Sequence, residues 1–181
     1  MNALGMIEVN SIAAGIDSGD AMLKIAGVEL VQAQPVCAGK YIIIVRGAVA
    51  EVTSSVEAGR QQAGPCLVDS IVIPNIDEQV FYAMNCAAEI SGKVAVGVIE
   101  TFSLVSCIMS SDAAVKSADV KLAEIRLGRG LGGKSFVILA GAVSPVKHAV
   151  ETAKSLYENE GMIVRTTVIP SPHADLIKAL L

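Results

Sequence analysis

Apolar positions along this chain fall into short blocks separated by polar turns, and the spacing within each block indicates whether it extends or coils. Residues 3–10 predict a strand. Ser18 to Ala26 predict a helix, with Asp20 in its first turn and Lys24 near its end, charges that suit the helix dipole. Val28 to Val36 and Lys40 to Val49 predict two strands joined by Cys37-Ala38-Gly39. A second helix runs from Glu51 to Ala63. The strand after it, Cys66 to Ile73, stops at Pro74, which has no amide to donate. The same succession then returns as strand 95–102, helix 110–118, strands 119–127 and 134–143, helix 145–158 and strand 162–169. Residues 77–90 predict a further helix before Ser91-Gly92-Lys93, and 173–181 a last one. Strand-helix-strand-strand-helix-strand is the split β-α-β order of ferredoxin-like α+β domains, so two tandem domains are expected, 1–91 and 92–181.

The residues themselves repeat with the pattern. At an offset of 92, Gly5-Met-Ile-Glu8 returns as Gly97-Val-Ile-Glu100, and Asp20-Ala21-x-x-Lys24-x-Ala26-x-Val28-x-Leu30 returns as Asp112-Ala113-x-x-Lys116-x-Ala118-x-Val120-x-Leu122. Twelve of these 26 aligned positions are identical, which is enough to read the chain as one unit duplicated. After a two-residue insertion Gly39-Lys40 matches Gly133-Lys134, Gly47-Ala48-Val49 matches Gly141-Ala142-Val143, and both copies end a strand at proline, Pro74 and Pro170.

Composition changes the picture in one respect. The 181 residues are 52% hydrophobic with a mean hydropathy of +0.58, yet runs such as Tyr41 to Val45 are far shorter than the roughly 18 residues a spanning helix needs. The surplus apolar surface, carried by Ala, Val and Ile, is expected to be covered by other subunits. The beginning of the sequence has no basic stretch leading into a long apolar one, so a cytoplasmic protein is expected, with no membrane partner. A net charge of -4 and the absence of Trp argue against nucleic acid as a partner. Cys37, Cys66, Cys86 and Cys107 form no C-x-x-C pair, so one chain alone is not expected to hold a cysteine-ligated metal centre.

Candidate chemistry is sparse. Gly128-x-x-x-x-Gly133-Lys134-Ser135 fits the expression for a phosphate loop, but such a loop must open a helix whose first amides face the phosphates. The next residues, Phe136-Val-Ile-Leu-Ala, read as a strand, so nucleotide hydrolysis is set aside. The two histidines, His148 and His173, have no carboxylate or thiol placed beside them by the pattern, and no enzyme activity is assigned. Glu8 and Glu100 recur on apolar strands, where a carboxylate must be bonded. A structural hydrogen bond to a neighbouring loop is the expected use.

Taken together, the paired Gly-x-Ile-Glu strands, the Asp-Ala-x-x-Lys-x-Ala helices, the Gly-Lys turns and the terminal Ile169-Pro-Ser-Pro-His173 resemble bacterial microcompartment shell proteins of the tandem-domain, trimeric type. The resemblance covers essentially the whole chain, and Val36-Cys37-Ala38-Gly39-Lys40 is similar to the central loop of the propanediol-utilisation shell trimers. Two positions depart from that pattern: Ser171 stands where the family commonly has arginine, and Ala38 where its nearest members have proline. The resemblance implies a homotrimer that forms a pseudohexagonal tile beside other shell proteins. Cys37, Ala38, Gly39, Leu131, Gly132 and Gly133 would line its central pore, and Lys24, Lys116 and His173 would make tile-edge contacts. It further implies a [4Fe-4S] cluster on the threefold axis, held by Cys37 from three chains, that passes electrons across the shell and offers an open iron to an internal or external redox enzyme. An open metabolite pore without a cluster, and a ferredoxin-like sensor of a small ligand, are the alternatives.

Overall fold

The computed structural model describes residues 3–85, 94–157 and 159–180. The first repeat runs β1 (Ala3–Val9), α1 (Ile12–Ile25), β2 (Glu29–Val36), β3 (Lys40–Gly47), α2 (Val49–Ala63) and β4 (Leu67–Pro74), with its strands paired in the order β2-β3-β1-β4. A short helix α3 (Glu78–Met84) comes next. The second repeat is β5 (Ala95–Thr101), α4 (Leu104–Ser117), β6 (Val120–Leu127), β7 (Ser135–Gly141), α5 (Val143–Ser155) and β8 (Ile163–Ile169), in the order β6-β7-β5-β8, and ends in α6 (Ala174–Leu180). All neighbouring strands are antiparallel, which gives the expected ferredoxin-like α+β architecture twice. Even the irregularities recur, with register shifts at Leu30/Gln32 and Leu122/Glu124 and again at Glu8/Val9 and Glu100/Thr101. Among the described residues no helix is long and apolar enough to cross a membrane.

Each sheet is organised around its first strand. β1 is buried at every position; on its helix-facing side Ala3, Ile7 and Val9 pack with Ile43 and Val45 of β3, Met22 of α1, and Val52 and Val56 of α2. Gly5 belongs to the same row and explains why glycine recurs there. A Cβ at Gly5 would lie 2.6 Å from Val56 Cγ2, and one at Gly97 2.9 Å from Val150 Cγ2, so the second helix of each repeat can sit down only on a residue without a side chain.

Several element boundaries differ from their sequence-based expectation. Strands β3 and β7 end at Gly47 and Gly141, where 49 and 143 were expected, because Val49 and Val143 already open α2 and α5, and α5 stops at Ser155 where 158 was expected. Helices α1 and α4 begin at Ile12 and Leu104, six residues before the expected Ser18 and 110, because Ser11 and Ser103 cap them, accepting hydrogen bonds from the amides of Ala14 and Ser106. Asp20 is therefore in mid-helix, not in a first turn, and its carboxylate pairs with Lys24 one turn on. The strand expected from Cys66 starts at Leu67, Cys66 closing a 3-10 turn instead.

The two compact units of the chain are Met1–Ile76 and Asp77–Leu181. The expected division at 91/92, and the second half of the helix expected over 77–90, lie at residues 86–93, outside the described ones. Helix α3 groups with the second unit because it packs against β6 and α4.

Candidate functional site

The residues singled out for chemistry converge on the turns between the second and third strands of each repeat. Cys37–Gly39 form one 3-10 turn between the extended residues Val36 and Lys40. Gly39 has φ 73°, and a Cβ there would meet nothing within 4 Å, so backbone conformation rather than crowding selects glycine. Cys37 is a half-buried thiol and Gly39 is exposed. In the second repeat the turn is longer, from Leu127 to Ser135. It carries four glycines at positive φ, Gly128, Gly130, Gly132 and Gly133, and the Lys134 amide donates to the Leu131 carbonyl at 3.2 Å. Leu131 is half-buried, and Gly132 and Gly133 again have open space where a side chain would be.

Both turns are tied to the central strand by the same ion pair. Lys40 Nζ donates to Glu8 Oε1 at 2.8 Å, and Lys134 Nζ to Glu100 Oε1 at 2.8 Å. The expected structural bond of Glu8 and Glu100 to a neighbouring loop is thus found, with the lysine of the Gly-Lys turn as the donor. The partner was legible, since Glu and Lys both recur at matched positions. The Gly-Lys match was noted in the sequence, but its lysine was not named there as the donor. The two pairs differ in setting: the Glu8 side chain is 4% exposed, that of Glu100 34%. The same geometry disposes of the phosphate-loop match, because Lys134 is already bound to Glu100 and Ser135 opens strand β7 instead of a helix.

The remaining cysteines are not gathered at Cys37. Cys66 lies before β4, and β4 is separated from β3 by β1, so two strand spacings of about 4.8 Å stand between it and the Cys37 turn. Cys107 is fully buried in α4, where desolvation pushes its thiol up from 9.0 to about 12 against opposing hydrogen bonds with Thr101 and Ser111. Cys86 lies outside the described residues. Among the described residues no three His, Cys, Asp or Glu side chains are grouped as a metal site within one chain. Iron–sulfur clusters are held by thiolates, and the Cys37 turn presents one per chain on uncharged backbone, with the nearest lysine neutralised by Glu8. The turn therefore suits a cluster only if several copies share it.

The candidate edge residues are exposed and locally paired. The Asp20 carboxylate, first by hydrogen bond and then by charge, raises the Lys24 pKa above 10.5. Lys116 Nζ donates to Asp112 Oδ2 at 2.6 Å. His173 does have a carboxylate beside it, contrary to the pattern-based reading: Asp175 Oδ2 is 3.6 Å from its Nδ1, both side chains being nearly fully in solvent. His148 is exposed on α5.

Comparison with known proteins gives a consistent result. A domain family described as the BMC domain matches residues 3–76 and again 95–172. The bacterial microcompartment shell protein PduT of Citrobacter freundii is 39% identical over 174 residues, 96% of this chain and 95% of that protein. The carboxysome assembly protein CcmO of a Synechococcus strain is 31% identical over 98% of this chain and 68% of its own length. A crystal structure of a microcompartment protein from Desulfitobacterium hafniense DCB is 47% identical, with a TM-score of 0.95 covering 98% of this chain and 99% of that one.

Proposed function

The chain belongs to the BMC domain family and is a shell protein of a bacterial microcompartment, similar to PduT and not an enzyme; on that premise we propose that it works as a three-chain tile whose central opening is filled by a [4Fe-4S] cluster held by Cys37 of each copy. The observation that carries this reading is the Cys37 turn. One repeat offers a thiol there, the other offers no thiol but glycine backbone, the exposed Arg129 and Leu131, and both turns are braced on their sheets by a lysine–glutamate pair. Three copies supply three thiolates, and the fourth iron falls to water, a small thiol or a partner protein. When bound, the cluster supplies one-electron exchange at the shell wall.

The residues of the chain do the positioning. Cys37 ligates, Gly39 takes the left-handed conformation that lets the turn reverse into β3, and the Glu8–Lys40 pair holds the start of β3 against β1. Lys24 and Lys116, exposed at the ends of α1 and α4, fit the edge contacts between tiles. The glycines of both turns also favour a second reading, an open metabolite pore lined by Cys37, Gly39, Leu131, Gly132 and Gly133.

Purification without oxygen, with iron and sulfide analysis and electron paramagnetic resonance on the product, separates the two. The cluster reading expects about four irons per three chains in the parent and none in Cys37→Ser, with assembly unchanged. Iron near zero in the anaerobic parent removes the cluster and leaves the shell role standing on the open pore.

A further inference from the structure

The two repeats differ where the second helix of each leads into its last strand. In the first, Arg60 of α2 is followed six positions later by Cys66, just before β4. In the second, the matching residues Lys154 and Met162 are eight apart, so the link from α5 to β8 is two residues longer. The backbone fixes this match, since the amides of Asn10 and Phe102 donate to the carbonyls of Cys66 and Met162, both at 2.9 Å. Beside the longer link a cleft of about 440 Å³ opens between α5 and β8. Small-molecule sites occupy about 300–1,000 Å³, so the cleft is large enough for one.

Its lining has a polar part and an apolar part. Lys154 of α5 and Arg165 of β8 bring two positive charges, and Glu151 brings one negative. Neither cation has a hydrogen-bonded carboxylate among the described residues. Lys154 Nζ is 3.9 Å from Glu151 Oε2, too long for a hydrogen bond. Arg165 stands across the strands from Glu100, but that carboxylate is already bonded to Lys134 at 2.8 Å. Because β8 is an edge strand, Arg165 is exposed. Thr166 adds a hydroxyl that makes no hydrogen bond among the described residues, whereas Ser155 Oγ donates to the Thr152 carbonyl at 2.8 Å. Ile163, Val164 and the buried ring of Tyr157 make the apolar wall.

The first repeat shows which of these features are particular to the cleft. Its helix carries the same loose pair, Arg60 with Glu57 at 3.9 Å. Its strand, however, has Asp69 at the position of Arg165, and its helix ends in Ala63 at the position of Tyr157. The same elements thus present one cation and two carboxylates in the first repeat, and two cations and one carboxylate in the second. One surplus positive charge above an apolar wall suits a ligand with one negative charge and a hydrocarbon tail. A dianion such as phosphate would leave part of its charge facing Glu151.

We propose that the cleft between α5 and β8 binds a short-chain monocarboxylic acid in its anionic form. The carboxylate accepts from the Arg165 guanidinium, Lys154 Nζ and the Thr166 hydroxyl, and the alkyl tail lies on Ile163, Val164 and Tyr157. β5 separates β8 from β7 and its glycine-rich turn, so the site does not depend on what fills the central opening.

Equilibrium dialysis of radiolabelled butyrate against the assembled protein at neutral pH tests it. One saturable site per chain is expected, with a Kd of about 1 mM or below. Hexanoate should displace the label, and equal concentrations of 1-butanol or inorganic phosphate should not. Arg165→Asp, which installs the residue of the first repeat, and Thr166→Val should each weaken binding at least about ten-fold with the far-UV circular dichroism unchanged. Arg60→Gln, on the matching helix of the first repeat, should bind as the parent does. If a variant unfolds, the unaltered protein decides the matter: butyrate should slow modification of Arg165 by phenylglyoxal, read by peptide mapping, and butanol should not. No saturable uptake of butyrate up to about 10 mM overturns the proposal. So does parent-like affinity in Arg165→Asp, or phosphate or butanol bound as tightly as butyrate, which would make the cleft a general anion site or a merely apolar one.

Discussion

Replacing Lys40 by methionine should destabilise the protein far more than the same change at Lys134, although the two lysines make the same bond in the two repeats. Removing one partner of a buried ion pair costs about 3–5 kcal/mol, because the other charge is left without water or partner, whereas an exposed pair contributes about 0–1 kcal/mol. Glu8 is 4% exposed and cannot recover its hydration when Lys40 is lost. Glu100, at 34%, can. Lys40 itself is one-third exposed, which places its pair near the lower end of the buried range, at about 3 kcal/mol, against roughly 0.5–1 kcal/mol for Lys134. For a chain of this size each kcal/mol moves the melting temperature by about 2–4 °C, so Lys40→Met should melt about 6–12 °C lower and Lys134→Met only about 1–4 °C lower. Urea and thermal unfolding at one fixed protein concentration measure the difference, since subunit association would otherwise move the midpoint. Glu8→Gln combined with Lys40→Met should regain part of the loss, because no buried charge is then left unpaired. Equal costs for the two lysine variants, within about 0.5 kcal/mol, would falsify the claim that burial of the carboxylate sets the strength of the brace.

Other consequences can be measured alongside. Cys107, fully buried with its thiol pushed up to about 12, should escape alkylation at pH 8 in the folded protein and react after urea unfolding, as read by peptide mapping. Its effect on stability has a definite sign. Above pH 9 the unfolded thiol loses its proton while the folded one keeps it, so this contribution is complete below pH 9 and declines toward pH 12 by up to about 1.4 kcal/mol per unit. Cys107→Ala should lack that slope, and an identical alkaline profile in parent and variant would refute it. Gly5→Ala, with its Cβ 2.6 Å from Val56, should cost about 1–3 kcal/mol by chemical denaturation. Gly39→Ala, strained only by its positive φ in open space, should cost about 1 kcal/mol; a reversed order would mean that α2 shifts to make room.

How much of this was legible depended on whether the chain said it twice. The α+β order was readable because short apolar blocks, the last of them closed by a proline, occur in both copies, so an ambiguous block in one repeat was settled by its counterpart. The beginning of α1 was not, because Ile12, Ala13, Ala14 and Ile16 put apolar residues around the helix and hide its period. The usable signal was Ser11, which recurs as Ser103 and caps the helix in each case. The Glu8–Lys40 bond joins residues 32 apart, and no local pattern brings them together, yet each was marked by recurrence. Burial is where recurrence fails. Leu30 and Leu122 are the same residue in the same strand position, as are Ile16 and Ile108 in the first helix, and one member of each pair is exposed while the other is buried. Side-chain identity cannot encode that difference, since it lies in what covers the residue. An apolar residue kept in both copies and covered in only one becomes visible only when the copies are laid side by side in their folded form.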